Sequence, residues 1–333
     1  MNTVKRNPTG LVRQSPWKLL ALGLLVLTLA AGCVTGTAGV KQSSIVRPEL
    51  PTSTAPVETT QFEVPGPLPP LAEPGEVAEP VPGGEVDWSG EVVRARGLGV
   101  VDPGATNPAQ ARLMAERAAV VVAQRNLLEI VKGVRVDSDT RVENLMTDYD
   151  VVYSRVEGLV KGARQRGPAK YDSLAGTVEV ELEMSLYGSG LADALVPVLG
   201  PGDVAASSLS PQVRQFLAQY SGLVLDGSSS GLKPALFPKI YDADGNLLLD
   251  TRQYAAHLGS TGQAAIRFIN DLDKVLSRPE LTRLPLVLKV KEVRGKLGAD
   301  IIIGRQDAEK LKWLKDGFKY LVGAGRFLLK VLL

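Results

Sequence analysis

The alternation of apolar and polar residues is strictest from Thr177 to Leu186. Val178, Val180, Leu182, Met184 and Leu186 fall on one side and Thr177, Glu179, Glu181 and Glu183 on the other, the period of a half-buried strand. Glu91 to Val101 predicts a second strand, and Asp102 to Pro108 a loop that opens a helix, with Thr106 or Asn107 as its cap and Pro108 in its first turn. That helix runs to about Lys132 and stops at Gly133. Ala111, Ala115, Ala118 and Val122 recur at helical spacing, so a stripe of small residues can lie close against a sheet. Asp137 to Asp150 is polar and irregular, with a short helix around Val142 to Met146. Val152 to Gly162 reads as a strand in which Val152, Val156 and Val160 share a face with Ser154, Gly158 and Gly162. Paired with Thr177 to Leu186 as a hairpin through Gly167 to Gly176, it would set Arg155 and Lys161 opposite the glutamate row.

Beyond Gly188 the pattern weakens. Residues 191–221 read as a linker carrying one helix, Pro211 to Tyr220, and a second domain occupies 222–333. Its expected strands are Gly222 to Leu225, Pro238 to Tyr241, Leu247 to Leu249, Leu286 to Val293, Asp300 to Ile303 and Arg326 to Leu333. Asp242-Ala-Asp-Gly-Asn246 has the composition of a hairpin turn. Helices are expected over Gln263 to Leu276, with Ile266, Ile269, Leu272 and Leu276 on one stripe, and over Asp307 to Leu321. Strands and helices mixed in this order predict an α+β fold in both domains.

The first part of the chain is different in kind. Lys5, Arg6, Arg13 and Lys18 precede an apolar run from Leu19 to Ala31, the length of a signal-peptide core and too short for a comfortable bilayer span. Ala30, Ala31 and Gly32 lead into Cys33, the single cysteine of 333 residues. Small residues before a lone cysteine match the bacterial lipoprotein signal, with Leu29 one place ahead of its usual position, and place a signal peptide at 1–32 and cleavage after Gly32; the alternatives are an ordinary signal peptide that leaves a free thiol and an uncleaved membrane anchor. The match makes Cys33 the lipidation site, an S-diacylglycerol cysteine whose freed amine takes a palmitoyl chain. A thiolate is the nucleophile that such chemistry needs, and two or three acyl chains hold a protein firmly on a membrane where one does not. Val34, rather than an aspartate, follows the cysteine, as in lipoproteins passed on to the outer membrane. Residues 33–87 are rich in Pro, Thr, Glu and Ser and read as a disordered tether. Its limiting reach is roughly 170 Å at about 3.1 Å per residue.

The helix AQARLMAERAAVVVAQRNLLEIVKGVRVDS, the strand VEGLVKGARQ and the strand GTVEVELEMSLYG, about residues 109–188, resemble the lipoprotein-20-like family of bacterial envelope lipoproteins. The resemblance implies a small dodecin-like β-α-β-β domain, one helix on an antiparallel sheet, over residues 88–190. It places the chain beside flagellar disk and ring-assembly proteins and other envelope lipoproteins, and implies no catalytic residue.

Composition and motifs narrow the functional classes. A formal net charge of +2 gives no basic surface for nucleic acid. With one cysteine there is no internal disulfide, and with one histidine and that cysteine acylated a metal centre is not expected. No cofactor or small-molecule substrate is suggested. Gly227-Ser-Ser-Ser-Gly231 fits the letters of a nucleophile elbow, with Ser229 as nucleophile and Asp242 and His257 following in hydrolase order, but Gly231-Leu-Lys-Pro234 leads away from a helix. Asp242, Asp244 and Asn246 resemble a calcium loop, yet Gly245 and Gln253 stand where that loop needs other residues, so a tight turn is expected. The glutamate row could hold a cation, and a solvated strand face is favoured. Lys310, Lys312, Lys315 and Lys319 beside Leu311, Trp313, Leu314, Phe318 and Leu321 read as the wet and buried sides of one helix rather than a membrane-surface helix. The expectation is a non-enzymatic lipoprotein on the periplasmic side of the outer membrane, binding envelope proteins or copies of itself in flagellar or other envelope assembly. The alternatives are a peptidoglycan-binding structural lipoprotein and, third, a serine hydrolase using Ser229.

Overall fold

Strands are present ahead of the point where the sequence predicts them. The structure, a computed structural model, describes residues 77–199, 210–217, 219–220, 223–254, 264, 266–273, 285–312 and 329–333. Ahead of Trp88, β1 (Ala78–Val81) and β2 (Gly84–Asp87) form an antiparallel hairpin through Pro82 and Gly83. Proline at the first turn position and Gly83 at φ 83° in the second are what a type II turn requires. Proline content suggested an unstructured tether up to Asp87, but Pro80 sits on the outermost strand, where a missing N–H is tolerated.

The first sheet is antiparallel, ordered β1-β2-β3-β6-β4 with a short β5 also on β6. Its centre is β3 (Val92–Val100) against β6 (Thr177–Ser185), in register from Val92 opposite Ser185 to Val100 opposite Thr177. Across it lies α1 (Pro108–Gly133), whose cap Asn107 accepts bonds from the N–H groups of Ala109 and Gln110 at 3.0 and 3.2 Å. The helix face that meets the sheet is Ala111, Ala115, Ala119, Ala123 and Leu127, so the stripe drifts from the expected Ala118 and Val122. Closeness is set by two strand glycines. A Cβ on Gly97 would stand 2.0 Å from the Ala119 carbonyl oxygen, and one on Gly99 1.9 Å from that of Ala115.

Residues 152–162 are not a strand. Residues 152–161 belong to α3 (Asp150–Lys161), capped by Gly162, which follows the short α2 (Val142–Asp148). The reason is arithmetic: Val152, Val156 and Val160 are four apart, a spacing that both a strand face and a helix face allow. The residues between them decide, since a strand would have buried Ser154 and Gly158 with the valines. As a helix the segment buries only the three valines and gains a Glu157–Lys161 ion pair at 2.9 Å. The strand beside β6 is instead β4 (Arg164–Gln165) and β5 (Lys170–Asp172). Leu191–Leu199, expected as the start of a linker, is α4. It packs on α3 and buries Leu191, Ala192, Ala194 and Leu195 in the first core.

After α5 (Pro211–Leu217) the chain builds a second, mixed sheet. Its strands are β7 (Leu223–Asp226), β8 (Lys239–Tyr241), β9 (Leu247–Asp250), β10 (Arg267–Ile269), β11 (Leu286–Arg294), β12 (Asp300–Ile303) and β13 (Leu329–Leu332). They are ordered β10-β13-β7-β11-β12-β8-β9, with β10, β13, β7 and β11 parallel. The helix expected from Gln263 is contradicted at its centre: Arg267–Ile269 pairs with β13, and Ile266 and Phe268 are buried at strand spacing. Phe268 meets Trp88 edge-on, ring centroids 5.6 Å apart, which ties this strand to the first module. Residues 305–312 are helical, and the rest of the expected helix to Leu321 lies outside the described residues. Buried side chains of both modules form one hydrophobic cluster. Two α+β layers thus share a core, and among the described residues no helix is long and apolar enough to cross a membrane.

Candidate functional site

A polar cluster lies where the modules join, and it starts from the loop after α1. Val134 and Val136 are buried, so the chain between Gly133 and Thr140 is drawn inward. The Arg135 carbonyl accepts from Leu236 N–H at 2.9 Å and the Val136 carbonyl from Phe237 N–H at 2.8 Å. The Arg135 guanidinium donates to the Pro234 carbonyl at 2.7 Å and pairs with Glu79 on β1. Next in the loop, Ser138 is fully buried. Its hydroxyl donates to the Arg294 carbonyl and accepts from the N–H groups of Ala299 and Asp300 at 2.9 and 2.6 Å. One donor and two lone pairs are then all used. The turn from β11 to β12 can close over this serine because Gly295 has φ 87° and no side chain; a Cβ there would stand 2.1 Å from Ser138 Cβ.

Asp137 supplies the charge. Its Oδ1 accepts from the N–H groups of Asp139 and Thr140, and its Oδ2 from Lys239 Nζ at 2.8 Å, with an Arg252 nitrogen 3.7 Å away. Burial pushes the Asp137 carboxyl up, but the Lys239 ammonium and the backbone donors outweigh it and hold the group below the usual carboxylate range. Lys239 is raised in return: burial lowers it and Asp137 more than compensates. Asp300, 2 % exposed, accepts from the Lys239 N–H at 2.9 Å. Burial, with the Asp137 charge adding to it, pushes its carboxyl up to about 6. The cluster therefore holds one firmly ionised and one easily protonated carboxylate around a single lysine.

A second charged array covers the outer face of the first sheet. Arg94, with 11 % of its side chain exposed, reaches Glu85 at 2.7 Å, Asp87 at 3.0 Å and Glu183 at 3.3 Å. Arg164 pairs with Glu183 at 2.9 Å, Arg166 with Glu181 at 3.0 Å, and Lys170 approaches Glu179 at 4.0 Å. Glu183 is pushed up by burial and brought below its ordinary value by Arg164 and Arg94. The glutamate row is a charged strand face opposed by cations, as the alternation suggests. The cations come from β3 and the β4–β5 edge rather than from Arg155 and Lys161. The pairs made by the exposed Arg164, Arg166 and Lys170 add little stability each.

The expected site residues do not converge. Cys33 and His257 lie outside the described residues. Ser229 sits on an exposed turn after β7, and the chain that follows is irregular up to β8 where a nucleophile elbow needs a helix. Asp242 is spent on its own turn: it accepts from the N–H groups of Asp244 and Asn246 at 3.0 and 2.8 Å and from the Asn246 amide at 2.9 Å. That amide, against burial, holds its carboxyl low. Gly245 at φ 85° and an Asp244–Arg305 pair at 2.6 Å complete a tight turn, not a cation loop. Among the described residues no three His, Cys, Asp or Glu side chains are placed to share an ion. The junction residues Asp137, Ser138, Lys239 and Asp300 were not singled out by sequence. The available signal was Val134 and Val136 alternating with polar residues straight after a glycine-ended helix.

Residues 222–322, the second module from just before β7, match the family model described as Treponema pallidum Tp0624, second domain. No curated protein matches the chain.

Proposed function

We propose that this chain is a non-enzymatic lipoprotein, anchored in the outer membrane through acylated Cys33, whose folded body serves envelope assembly by binding proteins or its own copies. The observation that carries the anchor is the sequence itself: a basic leader, an apolar run from Leu19 to Ala31, and small residues ending at the single cysteine. What supports a binding role is the use to which the polar side chains at the junction are put. The buried Asp137, Ser138 and Asp300 and the partly buried Lys239 are consumed in joining two modules, and Ser138 has no proton or lone pair left for a substrate. The lipoprotein-20-like resemblance of residues 109–188 adds flagellar or other envelope assembly as the process. Labelling cells with a palmitate analogue tests the anchor: label on the chain that disappears in Cys33→Ser supports it, and equal labelling of both, or of neither, counts against it.

A further inference from the structure

The segment from Val134 to Thr140, between α1 and α2, is threaded into the second module like a strap. On one side the carbonyls of Arg135 and Val136 hold the N–H groups of Leu236 and Phe237. On the other, the Ser138 carbonyl accepts from Leu297 N–H at 2.8 Å, and its hydroxyl from the N–H groups of Ala299 and Asp300 at 2.9 and 2.6 Å. All of these second-module donors lie within residues 236–237 and 297–300, and all of their acceptors lie on the strap. One short segment therefore makes or breaks the whole set.

The charges under the strap do not balance. Asp137 sits on it, Lys239 on β8, Asp250 at the end of β9, Arg252 two residues further on and Asp300 at the start of β12. Both cations are committed to other partners than Asp300. Lys239 Nζ is 2.8 Å from Asp137, and Arg252 is 2.7 Å from Asp250 and 3.7 Å from Asp137. Arg294 stands opposite Asp300 in the β11–β12 ladder, but its guanidinium lies over the Tyr241 ring, 4.5 Å from the centroid. Among the described residues no ion pair reaches Asp300, although its residue is 2 % exposed. The set of Asp137, Asp250, Asp300, Lys239 and Arg252 is neutral when Asp300 carries a proton and negative when it does not. A buried carboxylate without its own cation is costly, and water would relieve it. The strap's Asp137 and Ser138 stand against it, and Asp137 adds a like charge.

We propose that residues 134–140 are a proton-gated strap, closed on the second module while Asp300 is protonated and released, with both sheets still folded, as Asp300 ionises. In the closed form burial pushes the Asp300 carboxyl up to about 6, and hydration on release returns it toward 3.8. The closed form is therefore most favoured at low pH and loses that advantage as pH rises from about 4 to about 6. Asp137, held below the carboxylate range by Lys239 and backbone donors, stays ionised above that range and does not oppose the effect. Linkage makes the open fraction about 25-fold larger at pH 7.5 than at pH 4.5. The test is hydrogen exchange with mass spectrometry on the full chain in mild detergent, corrected for the intrinsic pH dependence of exchange. Strap opening is read at the N–H groups of Leu236, Phe237, Leu297, Ala299 and Asp300, and global unfolding at the β3–β6 ladder. The strap-bound amides are expected to exchange at least tenfold faster than the ladder. Their protection is expected to fall about 25-fold from pH 4.5 to 7.5. Asp300→Asn keeps an acceptor for the Lys239 N–H but does not ionise, and its protection is expected to change less than threefold. Three results each overturn the proposal: wild-type protection that is equal at both pH values, strap-bound amides no faster than the ladder, or an Asp300→Asn chain that keeps the wild-type fall. The first two need no variant.

Discussion

Asp300→Asn is the sharpest perturbation of the junction. The Asp300 carboxyl is pushed up to about 6 from 3.8 by burial and by the neighbouring Asp137 charge. In the folded protein it therefore binds its proton more tightly than in the unfolded chain, and stability from this group is greatest at low pH and lost as pH rises through the window from about 4 to about 6. Linkage across pH 4.5 to 7.5 makes that loss about 2 kcal/mol. Asparagine keeps the shape and can still accept from the Lys239 N–H at 2.9 Å, but it does not ionise. Unfolding free energies of both proteins should be measured by urea titration at the two pH values. The quantity to compare is the change in their difference, because packing and other titrating groups cancel in it. The variant should gain about 2 kcal/mol on the wild type between pH 4.5 and 7.5. Parallel pH profiles would refute the reasoning, since they would mean that the buried carboxylate titrates alike in both states.

Asp137→Ala strands the Lys239 ammonium with its backbone neighbours and should cost about 3–5 kcal/mol in chemical denaturation, the range for removing one partner of a buried pair. In the wild type the Asp137 contribution is present at neutral pH and is lost as pH falls through its depressed value, the opposite sense to Asp300. Gly99→Val places side-chain atoms where the Ala115 carbonyl lies and should lift α1 from the sheet, read as lost cooperative unfolding, whereas Gly158→Ala, in open space within α3, should be more stable than the wild type by up to about 1 kcal/mol. Ser229→Ala should leave stability within about 0.5 kcal/mol of the parent, as for surface changes away from special features, and a covalent serine-hydrolase probe should label neither protein.

How much of this was legible depended on where the deciding information sits. Strands β3 and β6, helix α1 with its Asn107 cap and the Asp242–Asn246 turn are written locally, in alternation, capping and turn chemistry, and the structure has them where the sequence places them. Residues 152–162 were misread because a four-residue repeat of valine satisfies both periods, and only burial shows which residues between them count. Pro80 and Pro82 disguised a hairpin as tether because an edge strand tolerates proline that an inner strand does not. Arg267–Ile269 is a strand because β13, far along the chain, offers it a parallel edge, which no local window contains. The junction was hidden for the same reason: Asp137 and Lys239 are far apart in sequence, and nothing in either stretch announces the other.

The most direct measurement on the central claim is mass spectrometry of the mature amino terminus from membranes of expressing cells. The account predicts a chain that begins at Cys33 and carries a diacylglyceryl thioether and an amide-linked acyl chain. A leader still attached, or a Cys33 thiol without lipid, would contradict it.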